Sequence, residues 1–117
     1  MTKLEEQWVD AIVQIRCIVC YMRGFPGTPA EVHHILDGGR RIGHLDTLPL
    51  CSPGHHRNGD GRHKISRHPN KARFEEAYGT EESLLAKSRL IVVQRFELFI
   101  GVDIDAVHHK LEAVRNV

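Results

Sequence analysis

The chain has 117 residues, 41% hydrophobic and 26% charged, with ten Gly and five Pro. This is the size of one domain and an ordinary globular composition, neither disordered nor low-complexity. No apolar run approaches the ~18 residues that span a bilayer, and Met1-Thr2-Lys3-Leu4-Glu5-Glu6 lacks the basic and apolar regions of a secretory signal, so a soluble, cytoplasmic protein is expected. The net charge of +1 divides unevenly. Residues 40 to 73 carry eight Lys/Arg against Asp46 and Asp60, or +6, and the rest of the chain carries −5. A basic surface of this kind suits a polyanionic partner.

In chain order, Thr2-Lys3-Leu4-Glu5 is a capping-box pattern. Leu4, Trp8, Ala11, Ile12 and Ile15 follow at helical spacing, which predicts a helix over about 3–16. Residues 23 to 30 hold four Gly or Pro and read as loop. Glu31 to Leu36 reads as a strand ending at the turn Asp37-Gly38-Gly39, with Thr47 to Leu50 as its partner and Pro49 confining that partner to a sheet edge. Ser52-Pro53 predicts a brief helix start, interrupted by Asn58-Gly59-Asp60-Gly61. His68-Pro69 opens a helix to about Tyr78, closed by Gly79. Thr80-Glu81-Glu82 caps a long helix to about Phe99, whose buried face is Leu84, Leu85, Ile91, Val92, Phe96 and Phe99. Gly101 breaks it, and Asp103 caps a last helix to about Val114. The pattern is α+β, a small hairpin flanked by helices, in a single domain over 1–117 with a core at 17–68 and a helical part at 69–117.

Two counts stand out against that background. Seven of the nine histidines fall between His33 and His68, five of them inside the basic third. The three cysteines are an odd number, which argues against a disulfide framework. Cys17-x2-Cys20 places two thiolates on one knuckle, and Cys51-x3-His55 supplies two further ligands for a closed tetrahedral Cys3His zinc site. Between these halves stands His33-His34, whose adjacent side chains point to opposite faces of a strand unless the strand bends there. His56 follows the proposed zinc ligand directly.

Taken as a string, these residues resemble the HNH (ββα-metal) endonucleases. Glu31-Val32-His33-His34-Ile35, Gly38-Gly39-Arg40-Arg41-Ile42-Gly43-His44, Leu48-Pro49-Leu50-Cys51 with His55-His56, and Tyr78-Gly79-Thr80-Glu81 resemble, more closely, the Ref family. Its members are phage recombination-enhancement nucleases that act with RecA. The likeness runs from residue 17 to about 85. It implies an HNH-type ββα-metal hairpin core stapled by zinc, in a phage- or prophage-encoded protein of the bacterial cytoplasm, with DNA and a RecA filament as partners.

Carried over by position, the resemblance makes His34 the general base and His33 and His56 ligands of a catalytic divalent metal, Mg²⁺ or Mn²⁺. Asp46 falls where the family's central Asn braces the loop and orients the base. His63 and His68 are candidates for further ligands. Here His33 stands for the commoner Asp, Asp46 for Asn, and CxxxH for a second CxxC, so that His55 and His56 are interchangeable as the zinc ligand. A neutral imidazole of pKa about 6.5 can deprotonate a water in line with a phosphorus, the metal would offset the developing charge, and Arg40, Arg41 and Arg57 would hold flanking phosphates. The same residues allow a second reading, a zinc-stabilised DNA- or protein-binding module without catalysis. A CxxC redox protein is disfavoured because no βαβ pattern surrounds Cys17 and Cys20.

Overall fold

The computed structural model describes residues 1–100. Helix α1 (Lys3–Ile15) begins as its sequence predicts. Thr2 Oγ1 accepts the Glu5 amide at 3.1 Å while the Thr2 amide donates to Glu5 Oε1 at 2.7 Å. The helix buries Trp8, Ala11, Ile12 and Ile15 but leaves Leu4 exposed. It stops at Arg16, which takes a positive φ of 73°, and Cys17 then donates its amide to Thr28 O at 2.9 Å. A short helix α2 (Ile18–Met22) follows, with Cys17 as its N-cap and Cys20 within it. Sequence periodicity gave no sign of α2, since five residues are too few to establish one.

Strand β1 (Glu31–His34) pairs antiparallel with β4 (Thr47–Leu50), setting Glu31 opposite Leu50, Val32 opposite Pro49, His33 opposite Leu48 and His34 opposite Thr47. Beyond it, β2 (Leu36–Asp37) pairs with β3 (Arg40–Arg41). The two ladders form one hairpin kinked at Ile35, whose amide donates to Asp46 O at 3.0 Å and whose carbonyl accepts from the Ile42 amide at 3.2 Å. Its two-residue turn is Gly38-Gly39, with φ of +58° and +81°. A turn with positive φ at both central positions matches the twist of the strands and strongly favours glycine.

The predicted helix start at Ser52-Pro53 is not formed. Residues 51 to 56 wrap around Cys51 instead. Its sulfur accepts the His55 amide at 3.4 Å and its carbonyl the His56 amide at 2.8 Å, while Gly54 sits at φ +151°, outside helical space. The chain then loops through 57–66 and returns alongside the 55–56 segment: Arg67 donates to His55 O and His68 to His56 O. Helix α3 (Lys71–Tyr78) starts three residues later than expected, capped by Asn70, whose side chain accepts the Arg73 amide.

Helix α4 (Glu81–Phe96) is capped by Thr80 and ends at Glu97 in the left-handed region. It is three residues shorter than predicted, and Phe96 and Phe99 are 40% and 42% exposed rather than buried. The remaining predicted face, Leu84, Leu85, Ile91 and Val92, is buried, with Val93 in addition. α1 and α4 pack on each other and on β4, which is buried along its whole length. Trp8 Nε1 donates to Thr47 Oγ1 at 2.9 Å, tying α1 to the hairpin. The helix expected over 103–114, with His108-His109, lies outside the described residues.

Candidate functional site

Cys17, Cys20, Cys51 and His55 converge, all four buried. Zinc at about 2.3 Å from sulfur and 2.0–2.1 Å from nitrogen requires tetrahedron edges of roughly 3.8 Å between sulfurs and 3.5 Å from sulfur to nitrogen. Cys20 Sγ lies 3.8 Å from Cys51 Sγ, and His55 Nδ1 lies 3.5, 3.4 and 3.3 Å from the sulfurs of Cys17, Cys20 and Cys51. The donor set therefore fits such an ion.

Its electrostatics point the same way. Contact with Cys51 and burial push the Cys17 thiol up, and the same contact pulls that of Cys51 down. Crowded together, the thiols cannot all ionise without a cation among them. Lys64 Nζ, 3.6 Å from Cys51 Sγ, supplies one outer positive charge. His55 Nε2 is buried with no hydrogen-bond partner, against the ring of Tyr78, which packs edge-to-face at 4.8 Å.

His56 goes to a second cluster, with His33 and His68, whose candidate ligand atoms lie within 4.8 Å of one another. The backbone pairing of 55–56 with 67–68 is what delivers His68. Ring centroids are 5.0 Å apart for His33–His56, 5.2 Å for His33–His68 and 5.1 Å for His56–His68. Carboxylates stand behind two of these rings. Glu31 bonds His56 Nδ1 and also pairs with Arg57 Nε at 3.2 Å, whereas Glu81 Oε2 lies 3.4 Å from His33 Nε2 and Glu81 Oε1 bonds buried Arg67.

Burial alone would push the Glu81 carboxyl up, but the bonds from His33 and Arg67 outweigh it and hold it at about 2. Burial, helped by neighbouring positive groups, pushes His68 down. Burial also pushes His56 down, against the opposing pull of Glu31. Both rings are thus favoured neutral, the form that binds metals.

Of the residues singled out in the sequence, the structure does not gather all into one place. His33 faces the buried cluster, whereas the half-buried His34 has Nε2 3.2 Å from Nδ1 of His44. Burial and then the Arg41 charge push His34 down. The strand does not bend enough to bring the two side chains together, because His33 and His34 both keep their β1 register against β4. Asp46 supports the loop through its main chain, accepting from Ile35, while its carboxylate meets Arg89 at 3.6 Å. Arg40 and Arg41 are exposed on β3, and Arg57 is exposed beside Glu31.

His68 joins His33 and His56; His63 does not, pairing instead with Asp60 at 2.7 Å. Three residues were missed in the sequence. Glu31 shares a strand face with His33 by its spacing of two, a readable signal. Glu81 stands in the sequence as a helix-start acid and within the Tyr78-Gly79-Thr80-Glu81 string, neither of which points to His33, and nothing marks His44 as a partner of His34.

These features define a small α+β protein built around a Cys/His knuckle that can hold a metal such as zinc. The family model for recombination enhancement, RecA-dependent nuclease, matches residues 1–92. The chain belongs to this family, as its resemblance to the Ref proteins implies. A comparison with curated proteins finds no match. Among the described residues, no helix is long and apolar enough to cross a membrane.

Proposed function

We propose that this protein is a metal-dependent DNA endonuclease of HNH type, acting with RecA in the cytoplasm of a bacterial host, phage- or prophage-encoded. The observation that carries the reading is the cluster of His33, His56 and His68 one residue from the Cys3His knuckle, in a chain of this family. Cys17, Cys20, Cys51 and His55 hold zinc and fix the hairpin, whose apolar area is too small to do so alone. His33, His56 and His68 hold the catalytic Mg²⁺ or Mn²⁺. Glu31 on His56 Nδ1 and Glu81 on His33 Nε2 fix those rings and leave the opposite nitrogens for the metal, the usual arrangement behind a metal-bound imidazole. Bound there, the cation supplies positive charge to the scissile phosphate and the departing 3′-oxygen.

His34 takes the proton from water. With its Nε2–H donating to His44 Nδ1, the Nδ1 of His34 is the nitrogen left to accept it. Asp46 braces the chain just after the base through its carbonyl. Arg40, Arg41 and Arg57 contact phosphates flanking the cut.

One observation favours the second reading, a zinc-stabilised DNA- or protein-binding module: His34 faces His44 rather than the histidine cluster. A cleavage assay separates the two. Circular single-stranded and supercoiled DNA would be incubated with Mg²⁺, Mn²⁺ or no metal, with and without a RecA filament, beside His34→Ala. Metal-dependent cutting that the variant loses supports the nuclease, and cutting only with the filament supports the RecA role. No cutting in any lane by folded, zinc-loaded protein sinks the nuclease and leaves the binding module.

A further inference from the structure

The Cys3His knuckle borders a cleft of about 410 Å³ that none of His33, His56 and His68 lines. Buried Cys20 and His55 line it, and around them stand Arg23, Phe25, Arg62, His63 and Lys64. We propose that this cleft binds an unpaired base of single-stranded DNA together with its flanking phosphates, with Phe25 as the stacking platform and Arg23 and Arg62 as the phosphate contacts.

Four observations converge on it. Phe25 is 66% exposed, yet its loop is pinned by its own amide, which donates to Cys20 O at 2.8 Å. A phenyl ring held out on an ordered support is the arrangement that stacks bases without sequence preference. The cleft is basic: none of its described lining residues is acidic, and the adjoining carboxylate of Asp60 is taken up by the cleft's own loop, its Oδ2 pairing with His63 Nδ1 at 2.7 Å. Asp60 accepts from the amides of Arg62, His63 and Lys64 at 2.9, 2.8 and 3.0 Å, which fixes the loop that carries them.

Arg23 is likewise held in place, its guanidinium 5.8 Å from the centre of the Tyr78 ring. Lys64 is drawn to the Cys51 sulfur and offsets the net negative charge of three thiolates around one divalent ion, so the free positive charge at the cleft belongs to the arginines. A duplex keeps its bases stacked inside and would leave Phe25 without a partner. A single strand offers both the base face and the phosphates.

The choice of DNA rests on the nuclease reading, but the test reads binding, not cleavage, so the two can fail separately. Zinc-loaded full-length protein would be titrated, by fluorescence anisotropy, into a phosphorothioate oligo(dT) and into an abasic oligonucleotide of the same length. Phe25→Ala is expected to weaken oligo(dT) binding about tenfold, the size of one base–aromatic stack, and to leave the abasic strand unchanged; Phe25→Trp restores it. Arg23→Gln and Arg62→Gln should weaken both strands and each lower the salt slope by about 0.7, one phosphate contact on a single strand. Wild-type affinity of Phe25→Ala for oligo(dT), or an equal loss on both strands, would overturn the proposal. Because Phe25 is exposed and outside the zinc set, retained zinc content verifies that each variant is folded.

Discussion

The amide of His68 donates to the carbonyl of His56 at 3.0 Å, and this one backbone bond brings together two histidines twelve residues apart in the chain. Its neighbour, Arg67 to His55 at 2.8 Å, continues the pairing. The loop between them therefore serves two centres. Its first end carries His55 to the cysteines and His56 to His33, and its last end returns His68 to the same cluster.

If His68 is a third metal ligand, His68→Ala should lower affinity for the catalytic metal by at least 10–100-fold, the cost already seen when only an outer partner of a ligand is lost. Cleavage should fall at low Mn²⁺ and recover partly at high Mn²⁺, with zinc content unchanged. A metal titration of cleavage checks this. A variant with wild-type metal dependence would remove His68 from the site.

Much of this was legible in the sequence, for identifiable reasons. The Thr2 and Thr80 caps, the β1–β4 pairing and the Gly38-Gly39 turn are local signals, and each appears where its residues predict. The cysteine clamp was legible because spacing and ligand chemistry constrain each other, and the structure gathers His55, not His56, with the three cysteines. What failed was non-local. Whether Phe96 and Phe99 are covered depends on what packs beside α4, which periodicity does not report. The helix start at Ser52-Pro53 lost to the sulfur of Cys51, which captures the His55 amide. The pairings His34–His44 and His33–Glu81 join residues brought together by the hairpin and by α4, and no spacing rule encodes them.

Glu81 is nearly fully buried between His33 and Arg67, so its charge supports both position and stability. Glu81→Gln keeps the volume but leaves the Arg67 guanidinium buried without its anion. Breaking a buried pair from one side costs about 3–5 kcal/mol, a large part of the stability of a small domain. Urea denaturation should show a loss in that range, and Glu81→Gln with Arg67→Met should recover much of it. Equal midpoints for the single variant and wild type would mean the pair is solvated in solution.

Thr47 links the core to the candidate base. It accepts from Trp8 Nε1 at 2.9 Å and donates to His44 O at 3.0 Å, and His44 in turn contacts His34. Thr47→Val preserves shape but strands the buried indole N–H, at about 1–3 kcal/mol, and frees the His44 loop. Thermal unfolding should register the first effect. A fall in cleavage rate at a temperature where the variant is fully folded should register the second, and Thr47→Ser should restore both in part.

Two glycines make a matched pair for testing the loop. A Cβ on Gly59 would come within 2.7 Å of Gly54 O and Ser66 Oγ, and closer still to Lys64 O. Two of these are backbone atoms that cannot swing aside. Gly27 has nothing within 4 Å of the same added atom. Gly59→Ala is therefore expected to destabilise by about 1–3 kcal/mol, as overpacking does, and to loosen zinc through the displaced 54–66 segment. Gly27→Ala should be near neutral. Similar melting temperatures and zinc off-rates for the two variants would contradict the close approach.

Removal of the knuckle metal should unfold the chain rather than merely inactivate it. Binding free energies for structural zinc run to about 10–16 kcal/mol, at or above the whole stability of an ordinary domain, about 5–15 kcal/mol. Three buried sulfurs and a buried imidazole with no cation between them work against the fold. Because the ligands must be deprotonated to bind, acidification should release zinc in step with loss of structure. Circular dichroism and a zinc indicator, followed together during chelation and during acid titration, should give coincident transitions. Cys51→Ser should lose the zinc and the cooperative transition alike, whereas His33→Ala should keep both. Zinc release that precedes unfolding, with native near-UV signal retained, would mean that the hairpin is held by α1 and α4 instead.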